Sequence, residues 1–288
     1  MRRSITTAAL AAALGAVAAC GASSAALTPL AAVTAAPDRT EAAHTSRMAL
    51  SVSIAGLPQS SGGGTTVDGT GSFDYSARQG QLSLALPGGQ HLDEVVHGTD
   101  VYVHSSAPFG SSTKPWVKVD LAAVGHQQGL DIGGLLQGQS TNPADQFRML
   151  KSAATNVTKV GSETVRGASS THYRLTVDLV KASAAQGSSA ASASASLTKL
   201  LGTTTLPADV WVDSSGRIRR FRQSFDLSHV LATAAQTSGS TLPPGAEHAS
   251  VTTTLELFDF GAAVNVAVPP ADQVQAADPA ADPSSPTP

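Results

Sequence analysis

One cysteine, Cys20, stands in 288 residues, so no disulfide can form within the chain and the fold must be held by its core alone. Aromatic residues make up 4% and charged residues 14%, with a formal net charge of −3. Nucleic acid is thereby excluded as a partner, because both phosphate neutralisation and base stacking would be short of residues. No apolar run is long enough to span a bilayer. The chain also lacks a Gly-x-Ser-x-Gly elbow, a His-Glu-x-x-His pair, a phosphate-cradling glycine loop with lysine, and any cysteine cluster. No enzymatic activity and no cofactor are therefore expected. His91, His97 and His104 recur in one region, but their spacing fits no standard ligand motif and no metal site is expected from it.

What is present begins at the N-terminus. Met1-Arg2-Arg3 precedes an apolar stretch, Ala8 to Ala19, and small residues lead up to Cys20. A positive start, a short apolar segment and small residues before the cut form an export signal over residues 1–19, too short to act as a membrane span. Val17-Ala18-Ala19-Cys20 resembles the bacterial lipobox, which implies that the Cys20 thiol carries a diacylglycerol and becomes the new N-terminus. Two acyl chains, with palmitate as the typical chain, give stable attachment where one chain gives only marginal binding. The expected location is the extracytoplasmic face of the bacterial cell membrane. Abundant Ala, Gly, Ser, Thr and Val, with Arg outnumbering Lys, points to a GC-rich genome of the actinobacterial kind.

Residues 20–44 are rich in Ala, Ser and Thr with little periodicity, and read as a flexible tether. Residues 269–288 repeat Pro, Ala and Asp and are expected to be disordered. Between them, residues 45–268 are expected to form one domain dominated by period-two alternation. Met48, Leu50, Val52 and Ile54 share one strand face; Leu82, Leu84 and Leu86 share another, after a turn at Arg78-Gln79-Gly80. Strands are also read at 65–77, 95–104 and 116–121. Asn142 and Pro143 are suited to start a helix over 144–154, and 129–136 to form a shorter one. Strands resume at 156–165 and 171–179, where Tyr173, Leu175, Val177 and Leu179 share a face. A tract of Ala, Ser and Gly at 183–196 reads either as the start of a helix or as a mobile flap. Two runs, 208–212 and 217–222, flank the turn Asp213-Ser214-Ser215-Gly216 as a hairpin, and 251–260 and 263–268 close the series. About ten strands with two or three helices define an α+β class: a large, strongly curved antiparallel sheet with helices on one face.

The lipobox cysteine, the run Trp116-Val117-Lys118-Val119-Asp120, the Asn-Pro helix start before Val160 to Gly167, and Asp209 to Gly216 ahead of an arginine-rich strand together resemble the LppX/LprG lipoproteins. That family is similar in fold to the LolA/LolB carriers, in which a half-barrel sheet covered by helices encloses a lipid-sized apolar cavity. The resemblance implies a monomer that carries acylated lipid or glycolipid across the envelope, with room for a membrane exporter as partner. An inner face lined by alternating aliphatic residues needs a covering helix, a bound acyl chain, or both. The ligand-facing candidates are Val52, Ile54, Leu84, Leu86, Val101, Val103, Leu175 and Val177, with Phe147 and Leu150 from the helix. The competing reading is that all of them fill a closed core. Arg217, Arg219, Arg220 and Arg222 either meet anionic headgroups or form solvated surface. The same sheet could also serve as a protein-interaction or signalling surface without a lipid ligand.

Overall fold

The computed structural model describes residues 27–56, 65–98, 100–106, 113–119, 147, 150–184, 195, 198, 199, 201–242 and 244–276. The signal segment, Cys20, the expected helix at 129–136 and most of the Ala/Ser tract lie outside the described residues. Twelve strands form one sheet: β1 Thr45–Ala55, β2 Thr65–Asp74, β3 Gln79–Leu86, β4 Gln90–His97, β5 Asp100–Ser105, β6 Trp116–Val119, β7 Ala154–Val165, β8 Ala168–Asp178, β9 Thr205–Asp213, β10 Ile218–Asp226, β11 Ser250–Phe258 and β12 Val274–Ala276. Their spatial order is β12-β6-β5-β4-β3-β2-β1-β11-β10-β9-β8-β7. All neighbours are antiparallel except β12, which pairs in parallel with β6. The expected curved α+β half-barrel is what the chain builds.

Local chemistry accounts for the turns. Arg166 and Gly167 both take positive φ, 45° and 78°, as a two-residue hairpin between β7 and β8 requires. At the β9–β10 turn the Asp213 carboxylate accepts the N–H groups of Ser215 and Arg217, at 2.9 and 3.0 Å. Gly216 closes that turn at φ 79°, and any Cβ there would stand 2.4 Å from the Arg39 side chain.

Arg39 belongs to an element that the composition concealed. Residues expected to be tether form a helix, α1 Pro29–Glu41, capped by Thr28, whose Oγ1 accepts the Ala31 N–H at 3.2 Å. Its buried residues Val33, Ala36, Pro37 and Thr40 fall at helical spacing, and Val33 and Ala36 belong to the main core. Thr40 Oγ1 donates to the Ala36 carbonyl at 2.8 Å and accepts the Ile218 N–H at 2.9 Å. Ile218 adjoins a bulge opposite β9, so this side chain satisfies a donor at the irregular end of β10. Lys151 adds ion pairs to Asp38 at 2.8 and 3.0 Å. The flexible-tether reading is corrected for these residues: small side chains let the helix backbone lie close to the sheet.

The chain end differs in the same way. Ala271–Gln273 form a 3-10 turn and β12 pairs with β6, so order continues past residue 268 and into the segment expected to be disordered. Two further helices are α2 Leu179–Ala184 and α3 Ser228–Ser238, the latter ending at Gly239 with φ 67°. Residues 147 and 150–153 are helical inside the expected 144–154 helix, and β7 takes over at Ala154.

Candidate apolar ligand face

Cross-strand register shows which side chains share the inner face. One row runs Tyr173, Val210, Phe221, Leu255, Leu50, Gly69, Leu84 and Leu92 across the sheet. A second contains Leu175, Ala208, Gln223, Thr253, Val52 and Val67, and a third joins Phe225, Val251 and Ile54. Toward the other end, Met48, Gly71, Leu82, Glu94 and Val103 align, followed by Phe73, Gly80, Val96 and Val101. All ten candidate residues belong to this side: eight by strand register, and Phe147 and Leu150 by packing in the same core cluster.

Burial divides the ten into two groups. Phe147, Leu150, Leu175, Val177 and Val101 are buried, and the Phe147 ring meets Phe221 edge-on at 6.2 Å. Phe147, Leu150, Leu175 and Val177 share one closed core with α1, whereas Val101 is buried separately at the β5 end of the face. Val52, Ile54, Leu84, Leu86 and Val103 are only half-buried, as are their neighbours Leu50, Val67, Leu92 and Val251. The end of the face marked by Met48, Phe73, Val96 and Val101 is closed; the side of Val52 and Ile54 is not.

Past that less closed side lies a cleft of about 500 Å³, lined among others by Leu201, Leu206, Pro207, Phe225 and His248. Phe225 is the register partner of Val251, and Val251 of Ile54, so the cleft and the half-buried face are joined through adjacent side chains. Leu201, Leu206 and Phe225 went unrecognised as candidates from sequence. Leu206 does follow the β9 alternation with Ala208 and Val210, but nothing in a linear pattern marks the end of a sheet as a mouth.

The outer face is polar and falls into two patches. Over β8–β11, Trp211 stacks on His172 at 4.2 Å, and the guanidinium groups of Arg220 and Arg222 lie over the same indole at 5.1 and 5.3 Å. Asp209 accepts from His172 Nε2 at 2.7 Å and Arg222 at 3.1 Å; Glu256 accepts from Arg220 at 2.7 Å and Arg166 at 2.6 Å. Burial pushes both carboxyls up, yet these donors outweigh it and hold Asp209 and Glu256 below their ordinary pKa values. Arg217 pairs with Asp213 at 3.1 Å and lies over Phe260, and Arg219 is buried over the same ring at 5.2 Å. The four arginines thus meet local carboxylates and rings, which neither sequence reading included.

Over β3–β6, Ser83, Asp93, His104 and Trp116 are successive cross-strand partners, with His91 two residues before Asp93 on the same side. The donor atoms of His91, Asp93 and His104 lie within 4.8 Å of one another, and among the described residues they form the one group able to hold a metal ion. The spacing of the histidines alone did not show this, because Asp93 and His104 meet only through strand register.

The inner face and its covering helices define an α+β half-barrel with an apolar lining, closed on one side and half-buried on the other. Neither a family model nor a curated protein matches the sequence. Among solved structures, the fold is similar to that of the Mycobacterium tuberculosis lipoprotein LppX, with a TM-score of 0.44 at 17% identity over 83% of this chain and 98% of that one. It is also similar to LprF from Mycobacterium bovis, with a TM-score of 0.42 at 13% identity over 84% and 96% of the two chains. A LolA superfamily protein from Nitrosomonas europaea superposes with a TM-score of 0.29 at 11% identity, over 81% and 93%.

Proposed function

We propose that this protein is a non-catalytic lipid carrier that holds an acyl chain against the half-buried part of its inner face. The observation that carries the reading is the contrast along one continuous surface. Leu175 and Val177 are shut into the core, while Val52, Ile54, Leu84, Leu86 and Val103 keep part of their surface open, next to a cleft of about 500 Å³. A cleft of this size lies in the usual range for small-molecule sites. Methylene burial is favourable and non-directional, at about 0.8 kcal/mol per group, so such a face can retain hydrocarbon without a fixed set of polar partners. Carriage of acylated lipid or glycolipid across the envelope, by a domain anchored through Cys20 at the extracytoplasmic membrane face, is the function that joins this face to the lipobox. Among the described residues no helix is long and apolar enough to cross a membrane.

The test is organic extraction and native mass spectrometry of the protein purified from a bacterial envelope, beside the variants Ile54→Arg and Leu84→Arg. Stoichiometric acylated lipid in the wild type, lost in both variants while their circular dichroism and melting stay native-like, is the expected result. A folded wild type that retains no lipid even when incubated with lipid vesicles would overturn the carrier reading and favour a protein-interaction module.

A further inference from the structure

We propose that the outer face of β3–β6 holds a divalent transition-metal site, with His91, Asp93 and His104 as its ligands and Zn²⁺ as the reference ion. The sheet itself assembles the donors. Side chains two residues apart on a strand point the same way, which places His91 beside Asp93 on β4, and direct cross-strand pairing brings His104 of β5 opposite Asp93. His104 Nδ1 stands 3.3 Å from Asp93 Oδ2, and His91 Nε2 stands 3.9 Å from the same oxygen. Zinc binds imidazole nitrogen and carboxylate oxygen at about 2.0–2.2 Å, so tetrahedral donors stand about 3.3–3.5 Å apart. The first pair already has that separation. His91, with 51% of its side chain in solvent, closes the second by a small ring rotation.

Two neighbours make this more than a chance meeting of three side chains. Ser83 Oγ donates to Asp93 Oδ1 at 2.6 Å from the adjacent strand, fixing the carboxylate with Oδ2 turned to both histidines. That is the orienting contact a metal-bound carboxylate usually has. On the far side, the Trp116 ring packs on His104 at 5.3 Å and limits the swing of the imidazole. Two imidazoles and one carboxylate suit Zn²⁺, and by the usual order of affinities Cu²⁺ and Ni²⁺ as well. Three protein donors leave at least one coordination position facing solvent. The site lies on the opposite side of the sheet from the proposed lipid face and is independent of it.

The experiment is calorimetric titration of the untagged, chelator-stripped protein with ZnCl₂, repeated on Asp93→Asn, His104→Gln and Ser83→Ala. One zinc per chain is expected, with affinity falling at least about tenfold in the first two variants. Ser83→Ala keeps all three donors and should lose about tenfold through misorientation alone, with unchanged melting in the absence of metal. Cu²⁺ should quench the Trp116 fluorescence, and the quenching should disappear in His104→Gln. No saturable binding, or binding of equal affinity in all variants, would overturn the proposal; melting of the metal-free variants shows that each is still folded.

Discussion

Leu175 on β8 and Leu84 on β3 both belong to the inner face of the sheet, yet Leu175 is 1% exposed and Leu84 remains half-buried. The difference lies in what was built over them. Above β8–β10, α1 and the helical residues around 150 supply Val33, Ala36, Phe147 and Leu150 to one core cluster. Among the described residues of β1–β5, the inner face is closed to the same degree at the end marked by Met48, Phe73, Leu82, Val96 and Val101. The outer faces differ in parallel: over β8–β11 Asp209 and Glu256 each accept from two or more cationic side chains, whereas β4–β5 carry two histidines around a single carboxylate. One half of the sheet is thus finished as structure. The other leaves both of its faces with chemistry to offer.

Truncations break this comparison most directly. Phe147→Ala should cost about 3–5 kcal/mol in urea unfolding, because a fully buried ring leaves a cavity. Leu84→Ala should cost less than about 1.5 kcal/mol. Equal losses at the two positions would mean that the two parts of the face are packed alike. Next in size is the α1 contact. Thr40→Val keeps the shape but strands the Ile218 N–H in a buried site, at an expected cost of about 1–3 kcal/mol. Wild-type melting of that variant would show that α1 is held by its apolar contacts alone.

The outer network of the closed half should govern the acid response. Asp209 and Glu256 have folded pKa values below their unfolded ones, so their contribution is fully present above the unfolded values, about 4. It is lost as pH falls from there through the folded values. Melting temperature should decline over that acid range, and the decline should be shallower in Asp209→Asn with Glu256→Gln. A slope unchanged by the double substitution would assign the acid response elsewhere. The smallest effect is expected at Arg47, whose pairing with Asp259 at 3.8 Å is more than half exposed. Arg47→Ala should move stability by no more than about 0.5 kcal/mol in the same urea assay.

Alternation made most strands legible in the sequence, because an antiparallel sheet with one apolar face writes its period directly into the chain. Val52 and Ile54, or Leu175 and Val177, could be placed on an inner face from this signal. Whether such a residue is sealed or half-open depends on what packs above it, and no strand pattern contains that. Helix α1 was missed for a related reason. Val33, Ala36, Pro37 and Thr40 have helical spacing, but their small side chains and the internal proline read as tether. The His91–Asp93–His104 group and the parallel pairing of β12 with β6 depend on register between strands, which sequence spacing does not record.

The docking of α1 also sets the length of a leash. If Cys20 bears the acyl anchor, only the eight residues from Gly21 to Thr28 separate it from a helix fixed to the sheet by Thr40, and fully stretched they span about 30 Å. The domain could then turn at the bilayer surface without travelling far from it. Any lipid it held would have to be received and surrendered within that radius, so delivery to a more distant layer would require a shuttle partner or release from the anchor.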